Sequence, residues 1–226
     1  YAGDNMNVKM AVQMAEDDDI EVKYVVANDD VASAPKAVKE QRHGIAGGFF
    51  MWKVGGARAA KGGSLDDVIA SAQNVVNRTK SICVGLEPCV IPALGHSNFK
   101  IEDGTMEFGV GHHGEAGTKV EKLKSASEMA QEMAETILND FDFEEGKEVA
   151  VMLSSLGATP VMELYVLYDE VEKVLAKAGH KVWKTYIGNY VTSLDMNGAS
   201  LTIVDLDDEI KELLSEPAVP IGMKNY

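Results

Sequence analysis

The sequence predicts an α/β protein made of two α/β domains, each with a mainly parallel or mixed sheet flanked by helices. Short apolar runs alternate along the chain with longer segments of helical periodicity. Pro88 and Pro92 lie in a segment that interrupts this alternation. We therefore place a boundary there, which makes residues 1–90 the C-terminal part of a first domain and residues 91–226 a second domain.

The part before the boundary has the order helix, strand, helix, helix, strand. Asp4 or Asn5 suits the N-cap of the first helix, and Met6, Met10 and Met14 recur at fourfold spacing, as in a stripe that faces a core. The predicted elements are a helix over 6–15, a strand over 20–27, helices over 44–63 and 64–79, and a strand over 81–86.

The part after the boundary repeats the alternation. Thr159 suits a helix N-cap, and Pro160 suits the first helical position after it. The predicted elements are a strand over 101–110, a helix over 125–140, a strand over 148–153, a helix over 159–178, and strands over 180–187 and 200–205. Strands alternating with helices place helices on the faces of a sheet.

Charge and composition exclude several classes of function. The 21 basic and 36 acidic residues give a net charge of −15, which opposes nucleic-acid binding because phosphate neutralisation needs clustered Lys and Arg. No apolar run reaches the ~18 residues of a membrane span. Cys83 and Cys89 lack the spacing of a zinc or redox motif, and they fit buried free thiols in a reducing cytoplasm.

The segment from Met106 to Gly117, MEFGVGHHGEAG, has the composition of a reactive loop. Its glycines allow backbone conformations closed to other residues and let a ligand approach the main chain. Glu107 and Glu115 could orient or charge an imidazole of the adjacent histidines. The alternative is a glycine-rich turn between two strands with solvent-facing histidines.

Three further small polar loops are expected beyond the ends of strands, where α/β folds place function. Together with the histidine loop, they resemble the substrate-binding K subunit of dihydroxyacetone kinases. That family shows Y-T-G-D, M-E-F-G-V-G-x-H-G-E-P-G, L-G-A-T-P-x-x-E-L-Y and T-S-L-D-M-x-G in this order. Here the same positions read YAGD (1–4), MEFGVGHHGEAG (106–117), LGATPVMELY (156–165) and TSLDMNG (192–198).

The resemblance implies two site residues. The family's histidine before Gly-Glu holds dihydroxyacetone as a covalent hemiaminal, and this role maps onto His113. A neutral imidazole can add to a carbonyl carbon, which selects ketones over glycerol. The family's aspartate of Y-T-G-D binds a substrate hydroxyl and helps to move its proton, which maps onto Asp4. His112 has no family role, and the resemblance implies no metal ligand.

Two departures from the family pattern remove no chemical group: Ala116 replaces a proline and Ala2 replaces a threonine. Tyr1 to Asp4 reads as the middle of a strand-to-helix turn, so we expect this sequence to be the C-terminal part of a longer protein. The family's G-G-G-S-G-H-E-P segment, with a general-base histidine, and a substrate-contacting lysine would then lie upstream.

The resemblance also implies partners. No nucleotide loop is visible, so we expect no cofactor on this chain, and ADP or ATP with Mg²⁺ on a partner, the nucleotide-binding L-type subunit. The chain ends where the K domain ends, which favours the phosphotransferase-dependent form over a fused ATP-binding domain. We therefore predict a cytoplasmic, homodimeric subunit of glycerol metabolism. The rivals are a non-catalytic, dihydroxyacetone-binding coactivator of a transcription regulator, and a plain structural domain.

Overall fold

The computed structural model describes residues 1–97, 99–142, 146–221 and 223, and within them six strands form one mixed sheet. The strands are β1 (Thr79–Glu87), β2 (Thr105–Phe108), β3 (Lys119–Lys122), β4 (Glu148–Ser155), β5 (Lys181–Gly188) and β6 (Asn197–Asp205). The helices are α1 (Ala2–Asp17), α2 (Gly48–Ala60), α3 (Leu65–Asn77), α4 (Ala126–Asp140), α5 (Val161–Lys177) and α6 (Asp208–Ser215), with a 3₁₀ helix at Lys36–Gln41.

The sheet has the strand order β3-β2-β1-β6-β4-β5, and only the β4–β5 pair is parallel among these neighbours. Alternate residues of β4 point to opposite faces, as the pleat requires. Val151 packs in a cluster with α4 and α5, whereas Met152 packs in a cluster with α2 and α6. Helices therefore cover both faces of the sheet, and the predicted α/β class with a mixed sheet is confirmed.

The predicted division into two domains at about residue 90 is not confirmed. β1 precedes residue 90, yet it pairs with β2 and β6, so one sheet includes strands from both sides of the boundary. Pro88 and Pro92 lie in the connection between β1 and β2. Prolines occur in local loops as readily as at domain ends, because neither location needs the backbone N–H group that proline lacks.

Helix ends follow local side-chain chemistry. Ser64 and Ser125 each accept a hydrogen bond from the backbone N–H three residues on, and Asp67 and Glu128 return the bond, which forms two capping boxes. α5 begins one residue later than predicted, after Pro160. The Thr159 hydroxyl instead donates to the Gly198 carbonyl at 2.7 Å, so it ties the helix start to β6.

Two predictions for the first thirty residues are wrong. Met6, Met10 and Met14 are 65%, 63% and 68% exposed, and α1 buries no residue, so the stripe does not face the core of this chain. Residues 20–27 are assigned no strand in the structure. Spacing identifies an apolar face or an extended segment, but it cannot specify which element lies against it.

Candidate functional site

The loop between β2 and β3 carries His112, His113 and Glu115, and buried contacts hold it at both ends. Gly109 N–H donates to the Cys83 carbonyl of β1 at 2.7 Å. Gly117 N–H donates to the carboxylate of Glu107 at 2.6 Å, and the Glu107 side chain is buried. Glu107 therefore closes the loop instead of orienting or charging an imidazole.

His113 and Glu115 form an imidazole–carboxylate pair. One Glu115 oxygen lies 3.1 Å from His113 Nδ1, and the other accepts the His113 backbone N–H at 2.9 Å. The His113 side chain is 58% exposed, whereas that of Glu115 is 32% exposed. Because an ionised carboxylate can only accept a hydrogen bond, Nδ1 carries a proton, and in the neutral imidazole the lone pair is then on Nε2. The neutral form of this exposed ring therefore has its nucleophilic nitrogen at Nε2.

Glu115 is ionised in this arrangement. Burial favours its neutral form, but the backbone N–H groups of Glu115 and His113 and the His113 ring outweigh burial and lower the pKa of the carboxyl. Gly111 makes room for it, since a Cβ at residue 111 would lie 2.2 Å from a Glu115 oxygen. The glycine preceding the two histidines is thus required by the carboxylate that follows them.

Tyr1 connects the reactive loop to Asp4. The Tyr1 ring packs on the His113 ring with centroids 4.4 Å apart and planes inclined by 33°. Asp4 is exposed in the first turn of α1, where the helix N-terminus favours a negative charge. Tyr1 and Asp4 line the same cavity of about 340 Å³, between α1 and α2. Sequence reasoning assigned no role to Tyr1, although it belongs to the YAGD motif.

His112 is placed differently from His113. Its carbonyl accepts a hydrogen bond from the Ser193 hydroxyl, and its Nε2 is buried with no described hydrogen-bond partner. Burial lowers the pKa of His112 to about 4, and the neighbouring His113 adds to this effect. The His112 ring is therefore neutral near pH 7. The two adjacent histidines therefore differ in exposure: the His113 side chain is exposed, whereas Nε2 of His112 is buried.

Two loops at the end of β4 and the start of β6 support the histidine loop. Ser193 N–H donates to the Leu156 carbonyl at 2.7 Å, while the Ser193 side chain reaches His112. Gly157 is required here, because a Cβ would lie 2.0 Å from the Leu194 carbonyl oxygen. Ser193 thus connects the 156–165 and 192–198 motifs to the histidine loop, which Tyr1 of the YAGD motif also contacts.

A buried pair of carboxylates lies near this loop, and sequence reasoning did not identify it. Asp29 accepts the backbone N–H groups of Ile45 and Gly47, and Asp30 accepts that of Ala32 at 3.0 Å. Burial raises the pKa of Asp30 to about 7, with Asp29 adding to the effect. In the sequence, Asp29 and Asp30 have the pattern of a polar turn. Residue types alone do not distinguish a buried turn from an exposed one.

Replacing Asp30 with Asn is expected to flatten the pH dependence of stability. The raised pKa means that the folded state holds a proton that the unfolded state loses above pH ~4, so this contribution is present at low pH and is lost as the pH rises through about 7. The wild type should lose up to about 1.4 kcal/mol per pH unit relative to the variant across that window.

Urea unfolding of both proteins at pH 5 and pH 7.5 measures this difference. The lowered pKa of His112 makes stability rise with pH, which is opposite to the effect of Asp30. This contribution is present in both proteins, so it cancels when their pH profiles are compared. Parallel pH profiles for the wild type and the variant would contradict the assignment of Asp30.

Within the described residues, no group of three or more His, Cys, Asp or Glu side chains is placed to hold a metal ion. None of the helices in this part of the chain combines the length and hydrophobicity needed to cross a bilayer. Cys83 and Cys89 are buried free thiols, and burial raises the pKa of Cys83 above its usual range.

The fold and the site define an α/β protein that presents an imidazole–carboxylate pair on a glycine-rich loop beside a mixed sheet. Comparison with known proteins identifies the family. The Dak1 domain profile matches residues 1–221, and the chain belongs to the Dak1 domain family.

A curated protein of Listeria innocua, "PTS-dependent dihydroxyacetone kinase 1, dihydroxyacetone-binding subunit DhaK", is 40% identical over 209 residues. The match covers 92% of this chain and 64% of that subunit, so the chain spans less than two thirds of its length. "D-erythrulose kinase" of Mycolicibacterium smegmatis is 37% identical, with 96% of this chain and 38% of the kinase covered.

A solved structure described as "Dihydroxyacetone kinase operon co-activator Dha-DhaQ" superposes with a TM-score of 0.86 at 30% identity. It covers 93% of this chain, and the chain covers 65% of that structure. The resemblance to the family drawn from the four motifs is therefore confirmed.

Proposed function

We propose that this chain is the ketone-holding part of a dihydroxyacetone kinase, in which His113 binds dihydroxyacetone covalently for phosphorylation to dihydroxyacetone phosphate. The observation that carries the proposal is the Nδ1 contact with Glu115, which places the proton of the neutral imidazole on Nδ1 and the lone pair on the exposed ring's Nε2. The likeness to the Listeria dihydroxyacetone-binding subunit supports dihydroxyacetone as the substrate.

The proposed addition follows from this geometry. The Nε2 lone pair attacks the ketone carbon, a C–N bond forms, and the C=O π electrons move to the oxygen, which takes a proton from solvent to become the hydroxyl of a hemiaminal. The ring becomes an imidazolium as the bond forms. The ionised Glu115 at Nδ1 and the electron-rich face of Tyr1 both stabilise that positive charge.

Asp4 is proposed to accept a hydrogen bond from a substrate hydroxyl and to help move its proton. Its carboxylate is exposed in the first turn of α1, and carboxylate oxygens accept hydrogen bonds from hydroxyls. It lines one cavity with Tyr1, and Tyr1 contacts His113. A three-carbon ketone held on His113 carries hydroxyls on both sides of the carbonyl, and we propose that Asp4 accepts from one of them.

Phosphoryl transfer needs a nucleotide, which we propose is carried with Mg²⁺ by an L-type partner subunit rather than by this chain. The name of the Listeria relative describes a phosphotransferase-dependent kinase with a separate dihydroxyacetone-binding subunit, which supports this arrangement. The same proposal includes three further properties: a homodimer, a cytoplasmic location, and a division of the whole protein into two α/β domains.

The coactivator remains a second candidate because a co-activator structure superposes with a TM-score of 0.86. One reconstitution separates the two functions. The protein is incubated with dihydroxyacetone, an ADP-loaded L-type subunit and its phosphorylated donor, and dihydroxyacetone phosphate is measured alongside the intact mass. Adduct with product supports the kinase, adduct without product supports the coactivator, and absence of an adduct contradicts both.

Replacing Glu115 with Gln is expected to weaken ketone binding roughly 10- to 100-fold. The amide oxygen can accept only one of the two hydrogen bonds that the Glu115 carboxylate accepts from His113, because the NH2 group is a donor. The amide also lacks the negative charge that stabilises the imidazolium, and a hydrogen bond to a charged group is worth roughly 1.5–3 kcal/mol. Titration of the adduct by mass spectrometry gives the apparent Kd. Glu102→Gln is the matched control, because Glu102 is exposed and outside the loop. An equal effect in the two variants would contradict the role of Glu115.

A further inference from the structure

The first turns of α5 expose an apolar face to solvent. Val161, Met162, Tyr165 and Val166 are 44%, 75%, 58% and 56% exposed. Met162 and Val166 are four residues apart, so they lie on the same side of the helix. Single exposed apolar residues are ordinary, but a contiguous group of them is typical of an interaction surface. We refer to these four residues as the α5 face.

An apolar cavity of about 200 Å³ adjoins the α5 face. Val166 and Glu163 line it together with the buried Leu164 and Leu167 of α5 itself. The sheet and α4 supply the buried Val84 and the half-buried Met129. Its walls are almost entirely apolar, and Val166, which lines it, is exposed to solvent. A cavity of this kind accommodates one large apolar side chain, in the way that interface anchors fill pockets on their partners.

The charges around this cavity are acidic. Glu163 lines the cavity, and its exposed carboxylate has no described hydrogen bond or ion pair. Glu87 and Glu128 each follow or precede a lining residue in the chain. The nearby Lys124 is already paired with Glu121 and Glu132. With a net charge of −15 for the whole chain, the surface favours a partner that brings a cation beside its apolar anchor.

The α5 face is also directly connected to the reactive loop. α5 starts immediately after the loop 156–160, in which the Leu156 carbonyl accepts Ser193 N–H. The Ser193 hydroxyl in turn donates to the carbonyl of His112, the neighbour of His113. A protein bound on the α5 face would therefore be held one loop away from the exposed His113 ring.

We propose that the α5 face and its cavity dock the nucleotide-carrying partner subunit, through an apolar side chain in the cavity and a Lys or Arg paired with Glu163. This inference rests on the proposed kinase function and adds where the phosphoryl-carrying subunit binds. Docking there places the donor beside loop 156–160, which Ser193 connects to the histidine loop. The chemistry expected of the partner is an apolar anchor flanked by a basic residue.

The test measures the Michaelis constant for the ADP-loaded L-type subunit in the reconstituted reaction, with the whole protein and saturating dihydroxyacetone. Met162→Asp and Glu163→Lys should each raise this constant at least tenfold and leave the ketone adduct unchanged. Asp at residue 162 lies in the first turn of α5, where a negative charge is favourable, so the fold should tolerate it. Glu172→Lys, an exposed reversal near the middle of the same helix, is the matched control and should leave the constant unchanged.

The outcomes separate the two proposals. If the wild type forms the adduct but transfers no phosphoryl group, the kinase function fails. If the wild type is active and both α5 variants keep its Michaelis constant for the subunit, the docking inference fails. If Met162→Asp instead converts a dimer of this chain into monomers in sedimentation experiments, a second copy occupies the α5 face and the inference is also overturned.

Discussion

The His113→Ala variant is expected to form no adduct with dihydroxyacetone and to lose activity by a factor on the order of 1,000 or more. Alanine removes the atom that bonds to the ketone carbon. Glu115 and Tyr1 would remain, but they act on the ring that has been removed. Native mass spectrometry of the protein with excess ketone measures the adduct, and the reconstituted phosphorylation assay measures the activity.

His112→Ala is the control for this experiment. His112 is adjacent in sequence, but its Nε2 is buried and its ring is neutral near pH 7, so its loss should leave the adduct in place. Circular dichroism shows whether each variant is folded. An adduct that survives His113→Ala would contradict the assignment of His113 as the nucleophile. So would an adduct that is lost only in a folded His112→Ala variant.

The Arg42→Ala variant is expected to lower the free energy of unfolding by about 3–5 kcal/mol. Arg42 binds both carboxylate oxygens of Asp140, at 2.6 and 2.7 Å, and its Nε–H donates to the Ala34 carbonyl at 2.8 Å. The two side chains are only 1% and 11% exposed. Removing the guanidinium leaves a largely buried carboxylate without its counter-charge, which costs far more than the net contribution of an intact pair.

Urea unfolding at pH 7 measures this loss, and Lys36→Ala is the matched control. The ion pair of Lys36 with Asp142 has a similar distance, 2.7 Å, but its side chains are 44% and 91% exposed. Removal of this exposed pair should cost less than ~1 kcal/mol. The double variant Arg42→Met with Asp140→Leu should recover most of the stability, since it removes both charges together. Similar losses for Arg42→Ala and Lys36→Ala would contradict this account.

Local patterns in the sequence predicted most of the elements. The Ser64 and Ser125 capping boxes and the apolar run of β4 depend on neighbours within a few residues, so the chain itself contains the signal. β3 and α6 were not predicted. The residues of β3, KVEK, are mostly exposed, and their strand conformation depends on pairing with β2.

Residue spacing alone led to two wrong predictions. Met6, Met10 and Met14 have the spacing of a buried stripe, yet all three are exposed. Residues 20–27 have the pattern of a strand but are assigned none. In both cases the residues define an apolar face, and whether it is covered depends on elements that are distant in sequence.

The sequence by itself determined the α/β class, the histidine loop and the family, because periodicity and ordered motifs are properties of consecutive residues. Only the tertiary structure decided how the two histidines differ. His113 is exposed and packs on the Tyr1 ring, while His112 is half-buried with its Nε2 enclosed, and its carbonyl accepts a hydrogen bond from the Ser193 hydroxyl. Tyr1 and His113 are 112 positions apart, and Asp30 is buried by segments that follow it in the chain. Burial and ring contacts between distant residues arise only when the sheet and its loops assemble, and they determine which nitrogen is free to react.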